Sequence, residues 1–112
     1  YNILLISPQT DNDRIRMIDR ISRGFVYIVS SSSTTGKRSS FSEEQIAYFR
    51  RIMEMKLHNP LMIGFGISDK ESFDIACREA AGAIIGSAFI KMLHEKGANP
   101  EVIRRFINEV RT

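Results

Sequence analysis

The sequence has no tryptophan, one cysteine and three prolines among its 112 residues. A single cysteine, Cys77, excludes a disulfide within the chain and suits a reducing compartment, so we expect a cytoplasmic protein. No apolar run approaches the roughly 20 residues of a membrane-spanning helix, and we expect no membrane partner. The chain starts at Tyr1 and passes directly into an apolar stretch, from which we expect a piece of a longer protein.

Neither sign of charge is in large excess. The chain has 16 basic and 13 acidic residues, which leave a formal net charge of +3. The charges are spread over predicted helical faces and form no basic stripe with aromatic residues, which argues against a nucleic-acid partner. His58 and His94 have no further ligand at metal-binding spacing, so we predict no metal site. The acidic residues fall at predicted helix starts, where they stabilise the helix dipole, and no acid–base pair for catalysis is apparent.

Four short apolar runs alternate with helical patterns along the chain. The runs cover residues 2–7, 25–30, 61–66 and 83–85. This alternation predicts an α/β fold with four parallel strands and crossover helices. No linker interrupts it, so we expect residues 1–112 to form one unit.

The predicted helices show start signals and apolar stripes. Capping boxes are predicted at Ser42 with Gln45 and at Ser68 with Glu71, and Asn99 with Pro100 starts the last helix. The residues expected on buried helix faces are Ile15, Ile18, Ile21, Ile46, Phe49, Ile52, Met53, Phe73, Ala76, Cys77, Ala80, Ile103, Phe106, Ile107 and Val110.

Two architectures fit this order, a small doubly wound sheet and half of a (β/α)8 TIM barrel. In barrels the phosphate site is frequently built after strands 7 and 8, next to a short extra helix. Here the last two predicted strands end at Gly66 and Gly86, and an extra helix follows the second. We therefore favour the C-terminal half of a barrel, four strands that carry the phosphate-binding loops.

The two glycines are the first candidate site residues. A strand that ends in glycine and leads into a helix presents free backbone N–H groups to an anion, and Ser87 adds a hydroxyl. The alternative is that both glycines only permit tight turns. Thr35 and Gly36, in the polar loop after the second strand, are candidates for a substrate-covering loop or for an ordinary flexible loop. Phe65 and Tyr27 lie inside predicted strands, where core packing is expected; Phe65, near the end of its strand, is alternatively a candidate wall for a flat apolar substrate.

Together these segments resemble the tryptophan synthase alpha chain family over essentially the whole sequence. The resemblance lies in Phe25-Val26-Tyr27-Ile28-Val29-Ser30, Thr35-Gly36, Gly64-Phe65-Gly66-Ile67-Ser68 and Gly86-Ser87-Ala88. It implies a carbon–carbon lyase of tryptophan biosynthesis, which cleaves indole-3-glycerol phosphate to indole and glyceraldehyde 3-phosphate without a cofactor. It also implies a beta chain partner in an alpha2beta2 complex.

The resemblance further implies roles for particular residues. The backbone of Gly36, Gly66, Gly86 and Ser87 would hold the substrate phosphate. Phe65 would pack on the indole ring, Tyr27 would lie near the catalytic carboxylate, and Thr35 would support loop closure.

The sequence departs from the family pattern in two ways. Ser31 and Ser33 stand where the family often has Arg and Gly. The family's catalytic Glu and Asp are expected upstream of Tyr1, so the 112 residues alone are expected to be inactive. The alternatives are a non-catalytic phosphate-binding α/β module and another phosphate-binding barrel lyase or isomerase.

Overall fold

The computed structural model describes residues 2–30, 41–64 and 66–111. In these ranges the strands are β1 (Leu5–Ile6), β2 (Val26–Val29), β3 (Leu61–Gly64) and β4 (Gly82–Ile84). The helices are α1 (Asn12–Ile21), α2 (Glu43–Glu54), α3 (Lys70–Glu79), α4 (Ser87–Lys96) and α5 (Pro100–Arg111). The predicted alternation is confirmed, although β1, β2 and β3 are shorter than the apolar runs that predicted them. Within the described ranges, none of the helices is long and apolar enough to cross a membrane.

The strands form one parallel sheet in the order β1-β2-β3-β4. Each crossover therefore moves in the same direction along the sheet. Because crossovers between parallel strands are right-handed, this order places every connecting helix on the same face. A doubly wound sheet instead reverses its strand order and carries helices on both faces. The observed order is that of consecutive barrel strands.

The core lies between the sheet and the helices. Ile6, Ile28 and Ile63 form one row across the sheet, since they are paired in register, and each is almost fully buried. They belong to the same cluster as Phe49 and Ile52 of α2.

The opposite face of the sheet carries the alternate residues. Leu5, Tyr27 and Met62 form the corresponding row, but Tyr27 and Met62 are only partly buried and Leu5 is 58% exposed. The two faces of the described sheet thus differ in the way expected when helices cover one side only.

Side chains cap the helix starts largely as predicted. The capping box of Ser42 and Gln45 is confirmed, with the Ser42 N–H donating to Gln45 Oε1 at 2.7 Å. Asn99 caps α5 by accepting from the Val102 N–H at 2.9 Å. The predicted box of Ser68 with Glu71 is wrong by one position, because Asp69 is the N-cap and Ser72 the reciprocal residue.

The predicted apolar stripes need correction at four positions: Ile21, Met53, Cys77 and Ile107 are exposed, Met53 at 42% and Ile107 at 43%. Cys77 is exposed, because α3 turns Ser72, Ile75 and Ala76 toward the core instead. Ile21 is 61% exposed at the end of α1, whereas Ile15 and Ile18 are buried as predicted.

A buried carboxylate joins helix and strand at the amino end of the sheet. Asp19 of α1 accepts hydrogen bonds from the His58 N–H at 2.8 Å and from the Asn59 N–H at 2.9 Å. The Asn59 side-chain amide adds a third bond at 2.8 Å. Burial acts to raise the pKa of Asp19, but these hydrogen bonds outweigh it and hold the pKa below 3.8. The carboxylate therefore fixes the end of α1 to the residues that precede β3.

Candidate phosphate-binding site

Gly66 and Gly86 lie at the same edge of the sheet, the one formed by the carboxyl ends of the strands, as the sequence predicts. Gly64 is paired in register with Ile84 on the neighbouring strand. Each candidate glycine follows its member of that pair by two residues, just beyond the carboxyl end of β3 or β4. Both glycines are exposed, so a ligand from solvent can reach this end of the sheet.

Gly66 adopts a backbone conformation that favours glycine. Its φ angle is 89°, and a Cβ added there would lie 3.5 Å from Ser30 Oγ. The space beside Gly66 would thus admit a side chain. The positive φ angle, however, would strain the backbone of any residue other than glycine. Among the described residues, the buried Ser30 at the end of β2 therefore lies beside Gly66.

The start of α4 differs from the other helix starts of the described chain. Gly86 is its N-cap and makes no side-chain cap hydrogen bond, and the first helical bond runs from the Ile90 N–H to the Gly86 carbonyl at 3.0 Å. The N–H groups of the first turn, beginning at Ser87, have no acceptor within a helix. The other starts are capped by Asp11, Ser42, Asp69 and Asn99. The positive end of α4 is therefore left to an external anion or to water.

Tyr27 projects along the sheet face that the helices leave uncovered. A Cβ placed on Gly64 would come within 2.9 Å of Tyr27 Cε1 and still closer to the phenol oxygen. The ring of Tyr27 therefore lies directly over Gly64, two residues before Gly66. Gly64 was not predicted as a site residue, although a glycine inside a strand is a known sign of close approach.

Helix α2 supports the same edge of the sheet from the covered face. The Tyr48 hydroxyl lies 3.1 Å from the Ile6 carbonyl oxygen and 3.0 Å from that of Val29. Gln45 Nε2 donates to the Ser30 carbonyl at 3.3 Å. These contacts could not be predicted from the sequence, since nothing in the local pattern indicates a bond across 15 or more positions.

Three predicted site residues, Thr35, Gly36 and Phe65, lie outside the residues that the structure describes. The described ranges bring together Gly66, Gly86 and Ser87 at one edge, with Tyr27 on the adjoining face. In those ranges no group of three or more His, Cys, Asp or Glu side chains is placed to hold a metal ion.

Comparison with known proteins identifies the family of the chain. The model of the tryptophan synthase alpha chain family matches residues 1–111. The chain is 53% identical over 110 residues to the tryptophan synthase alpha chain of Flavobacterium johnsoniae, which covers 98% of this chain and 43% of that protein. It is 54% identical over 109 residues to the alpha chain of Flavobacterium psychrophilum, covering 97% of this chain and 42% of the relative.

The chain belongs to the tryptophan synthase alpha chain family. The resemblance described above is confirmed, and the chain spans about 43% of the length of the curated relatives that it matches.

Solved structures of the family agree with the sheet order. The tryptophan synthase alpha subunit of Pyrococcus furiosus matches with a TM-score of 0.78 at 28% identity, over 96% of this chain and 43% of that chain. A chain from the tryptophan synthase α2β2 complex of the same organism matches with a TM-score of 0.79 at 32% identity, over 96% and 44%. These alpha subunits are TIM barrels, and the predicted α/β class with four parallel barrel strands is confirmed.

Proposed function

We propose that this chain supplies the phosphate-binding part of a tryptophan synthase alpha chain, a lyase that cleaves indole-3-glycerol phosphate to indole and glyceraldehyde 3-phosphate. The observation that carries the proposal is the pair of exposed glycines, Gly66 and Gly86, on adjacent strands beside an uncapped helix start, in a chain of this family. We assign residues 1–112 to the C-terminal half of the barrel.

The phosphate is held by backbone N–H groups in this proposal. Gly66 contributes from the end of β3, and Gly86 and Ser87 contribute from the start of α4, whose dipole favours negative charge. Gly36 adds a further N–H, and Thr35 supports the loop that carries it.

The indole end of the substrate lies deeper, against the side chains of the strands. We assign Phe65 to contact with the indole ring and Tyr27 to the vicinity of the catalytic carboxylate. The partly buried Tyr27 phenol over Gly64 supports this, because it places an aromatic ring and a hydroxyl on the face that the helices leave uncovered.

Catalysis needs groups that this chain does not supply. We assign the acid–base pair to the part of the relatives that the chain does not match, so the 112 residues bind the phosphate end but do not turn over substrate. The full enzyme needs no cofactor, works in the cytoplasm and acts with a beta chain in an alpha2beta2 complex. The α2β2 complex among the structural neighbours supports that partner.

Titration of the ¹⁵N-labelled chain with glycerol 3-phosphate tests the phosphate site. We expect the amide signals of Gly66, Gly86 and Ser87 to shift in a saturable way, while that of Asn59 at the opposite end stays in place. Ser87→Asp should weaken binding about tenfold, because a carboxylate in the first turn of α4 repels the phosphate and caps the same N–H groups.

The matched control is Asn99→Asp, which adds the same charge at the start of α5 and keeps a capping side chain. Equal weakening by both variants would show a general charge effect and would contradict a site at Gly86. Release of indole from indole-3-glycerol phosphate by the 112-residue chain would contradict the assignment of the acid–base pair to the unmatched part.

A further inference from the structure

Helix α2 contacts consecutive carbonyls at the end of β2. The Tyr48 hydroxyl lies 3.0 Å from the Val29 carbonyl oxygen, and Gln45 Nε2 lies 3.3 Å from the Ser30 carbonyl oxygen. Gln45 and Tyr48 are three residues apart, so they project from the same face of the helix. We call these two side chains the α2 clasp.

The clasp goes beyond what helix capping requires. In a capping box the third helical residue needs only an acceptor for the N-cap N–H, and Gln45 Oε1 provides it for Ser42. The Nε2 group of the same amide is directed to Ser30 instead. One side chain thus joins the start of α2 to the end of β2, on either side of residues 31–40.

Tyr48 extends the clasp to the neighbouring strand. Its hydroxyl also lies 3.1 Å from the Ile6 carbonyl oxygen, and the residue is buried. Burial raises the pKa of Tyr48 above its usual value of 10, so the hydroxyl keeps its proton at physiological pH. The single proton is shared between two carbonyl acceptors, which holds the ends of β1 and β2 at a fixed spacing.

Ser30 connects the clasp to the candidate phosphate site. Its N–H donates to the Gly64 carbonyl at 3.2 Å, and among the described residues its Oγ lies 3.5 Å from the position that a Cβ on Gly66 would take. Ser30 is 1% exposed, so it fills the space between α2 and the end of β3. A shift of the Ser30 backbone would disturb its hydrogen bond to Gly64, two residues before Gly66.

We propose that Gln45 and Tyr48 are positioning residues for the phosphate site: by fixing the end of β2 they hold Ser30 against Gly66 and set the direction of the Gly66 N–H. This inference rests on the proposed function, because it assigns the clasp a role in substrate binding. Neither side chain is placed in contact with the phosphate itself.

Two substitutions at Gln45 separate positioning from capping. Gln45→Glu keeps an acceptor for the Ser42 N–H but cannot donate to Ser30, and Gln45→Met removes both contacts without adding charge. Two controls match them: Ala47→Glu adds the same charge at an exposed position of α2, and Ser42→Ala removes the Ser42 hydroxyl that caps the helix. Tyr48→Phe removes the hydroxyl and keeps the ring that packs on Phe49.

Amide signals give a readout that does not depend on ligand. We expect both Gln45 variants and Tyr48→Phe to speed hydrogen exchange at the Ser30 N–H about fivefold and to shift the Gly66 amide resonance. Neither control should change these signals. Glycerol 3-phosphate binding should weaken about threefold or more in the clasp variants and in neither control.

The outcomes are distinguishable from those for the proposed function. If the unsubstituted chain binds no glycerol 3-phosphate, the proposed function fails, and the Ser30 and Gly66 amide signals still decide whether the clasp positions Gly66. If Gln45→Glu leaves those signals unchanged, the positioning role is overturned. If Ser42→Ala changes them as much as Gln45→Met, the effect belongs to helix capping and the proposal is likewise overturned.

Discussion

At the scale of single residues, Gly64 and Tyr27 fit closely together within the described sheet. The Tyr27 ring occupies the space into which any side chain at position 64 would project. Glycine normally weakens a strand by roughly 0.5–1 kcal/mol relative to alanine. Its presence inside β3 is therefore explained by the room that it leaves for an aromatic side chain on the uncovered face.

Gly64→Ala is expected to destabilise the chain by about 1–3 kcal/mol, because the added methyl group forces the Tyr27 ring out of position. In a Tyr27→Ala background the same change should be neutral or stabilising, since only the strand preference remains. Urea denaturation of the four proteins of this double-mutant cycle measures the coupling. Equal costs in both backgrounds would refute the packing explanation.

Asp19 is expected to make stability depend on acid pH. Its pKa in the folded chain lies below 3.8, so its contribution is complete above the unfolded pKa and is lost as the pH falls through the folded value. The free energy of unfolding should therefore decline below about pH 4. Asp19→Asn should flatten this decline and lower stability at neutral pH by about 2 kcal/mol.

Asp13→Asn is the matched control for Asp19→Asn, because it removes an exposed carboxylate from the same helix. It should leave the pH dependence of unfolding close to that of the unsubstituted chain. If the free energy of unfolding of Asp19→Asn still fell steeply at acid pH, another titratable group would be responsible for the decline.

At the scale of elements, some helix starts can be predicted from neighbouring residues, whereas other helix contacts depend on residues far apart in the sequence. The box of Ser42 and Gln45 could be predicted because its signal lies within four consecutive residues. The start of α3 was misplaced by one residue, since Ser68 and Asp69 are both good caps and only the packing of the helix selects between them. The contacts of Tyr48 with β1 and β2 depend on the tertiary fold, which the local pattern does not contain.

The corrected start of α3 has a direct test. Asp69→Ala should lower the free energy of unfolding by about 1 kcal/mol, because it leaves the Ser72 N–H without its cap. Ser68→Ala should change it by less than about 0.5 kcal/mol, as for an exposed surface position. Chemical denaturation compares the two, and a larger loss from Ser68→Ala would restore the original prediction.

In the candidate site, too, some residues could be predicted from the sequence and others could not. The two glycines at the ends of consecutive strands could be found in the sequence because parallel strands bring their carboxyl ends to one edge. Ser30, Gln45 and Tyr48 could not, because their contacts with that edge depend on how α2 packs. Cys77 was misjudged for a related reason: helical spacing identifies a stripe, but the neighbouring elements decide how far the helix rotates about it.

At the scale of the whole molecule, the described sheet has two open edges and one face that the helices leave uncovered. β1 is hydrogen-bonded only to β2, and β4 only to β3, within the described residues. Exposed apolar side chains accompany these edges, among them Leu5 of β1 at 58% and Ile90 of α4, the helix that follows β4, at 66%. Open edges beside apolar surface favour association with other chains.

The 112-residue chain is therefore expected to self-associate in solution. Leu5→Lys should shift the distribution toward monomer, because it places a charge on the open strand β1. Met53→Lys, at a 42% exposed position of α2 away from the edges, should not. Sedimentation velocity measures both, and a monomeric unsubstituted chain would favour the alternative of a closed phosphate-binding module.

The sequential strand order also bears on how such a chain is made. Each strand after β1 is hydrogen-bonded to the strand that precedes it in the chain, so β2, β3 and β4 each find a partner that the ribosome has already synthesised. A nascent chain can add one strand and one helix at a time to the growing sheet, and the pairs already formed need not be undone. The Asp19 contacts that join α1 to the residues before β3 would then form during synthesis, before the glycines of the last two strand ends emerge.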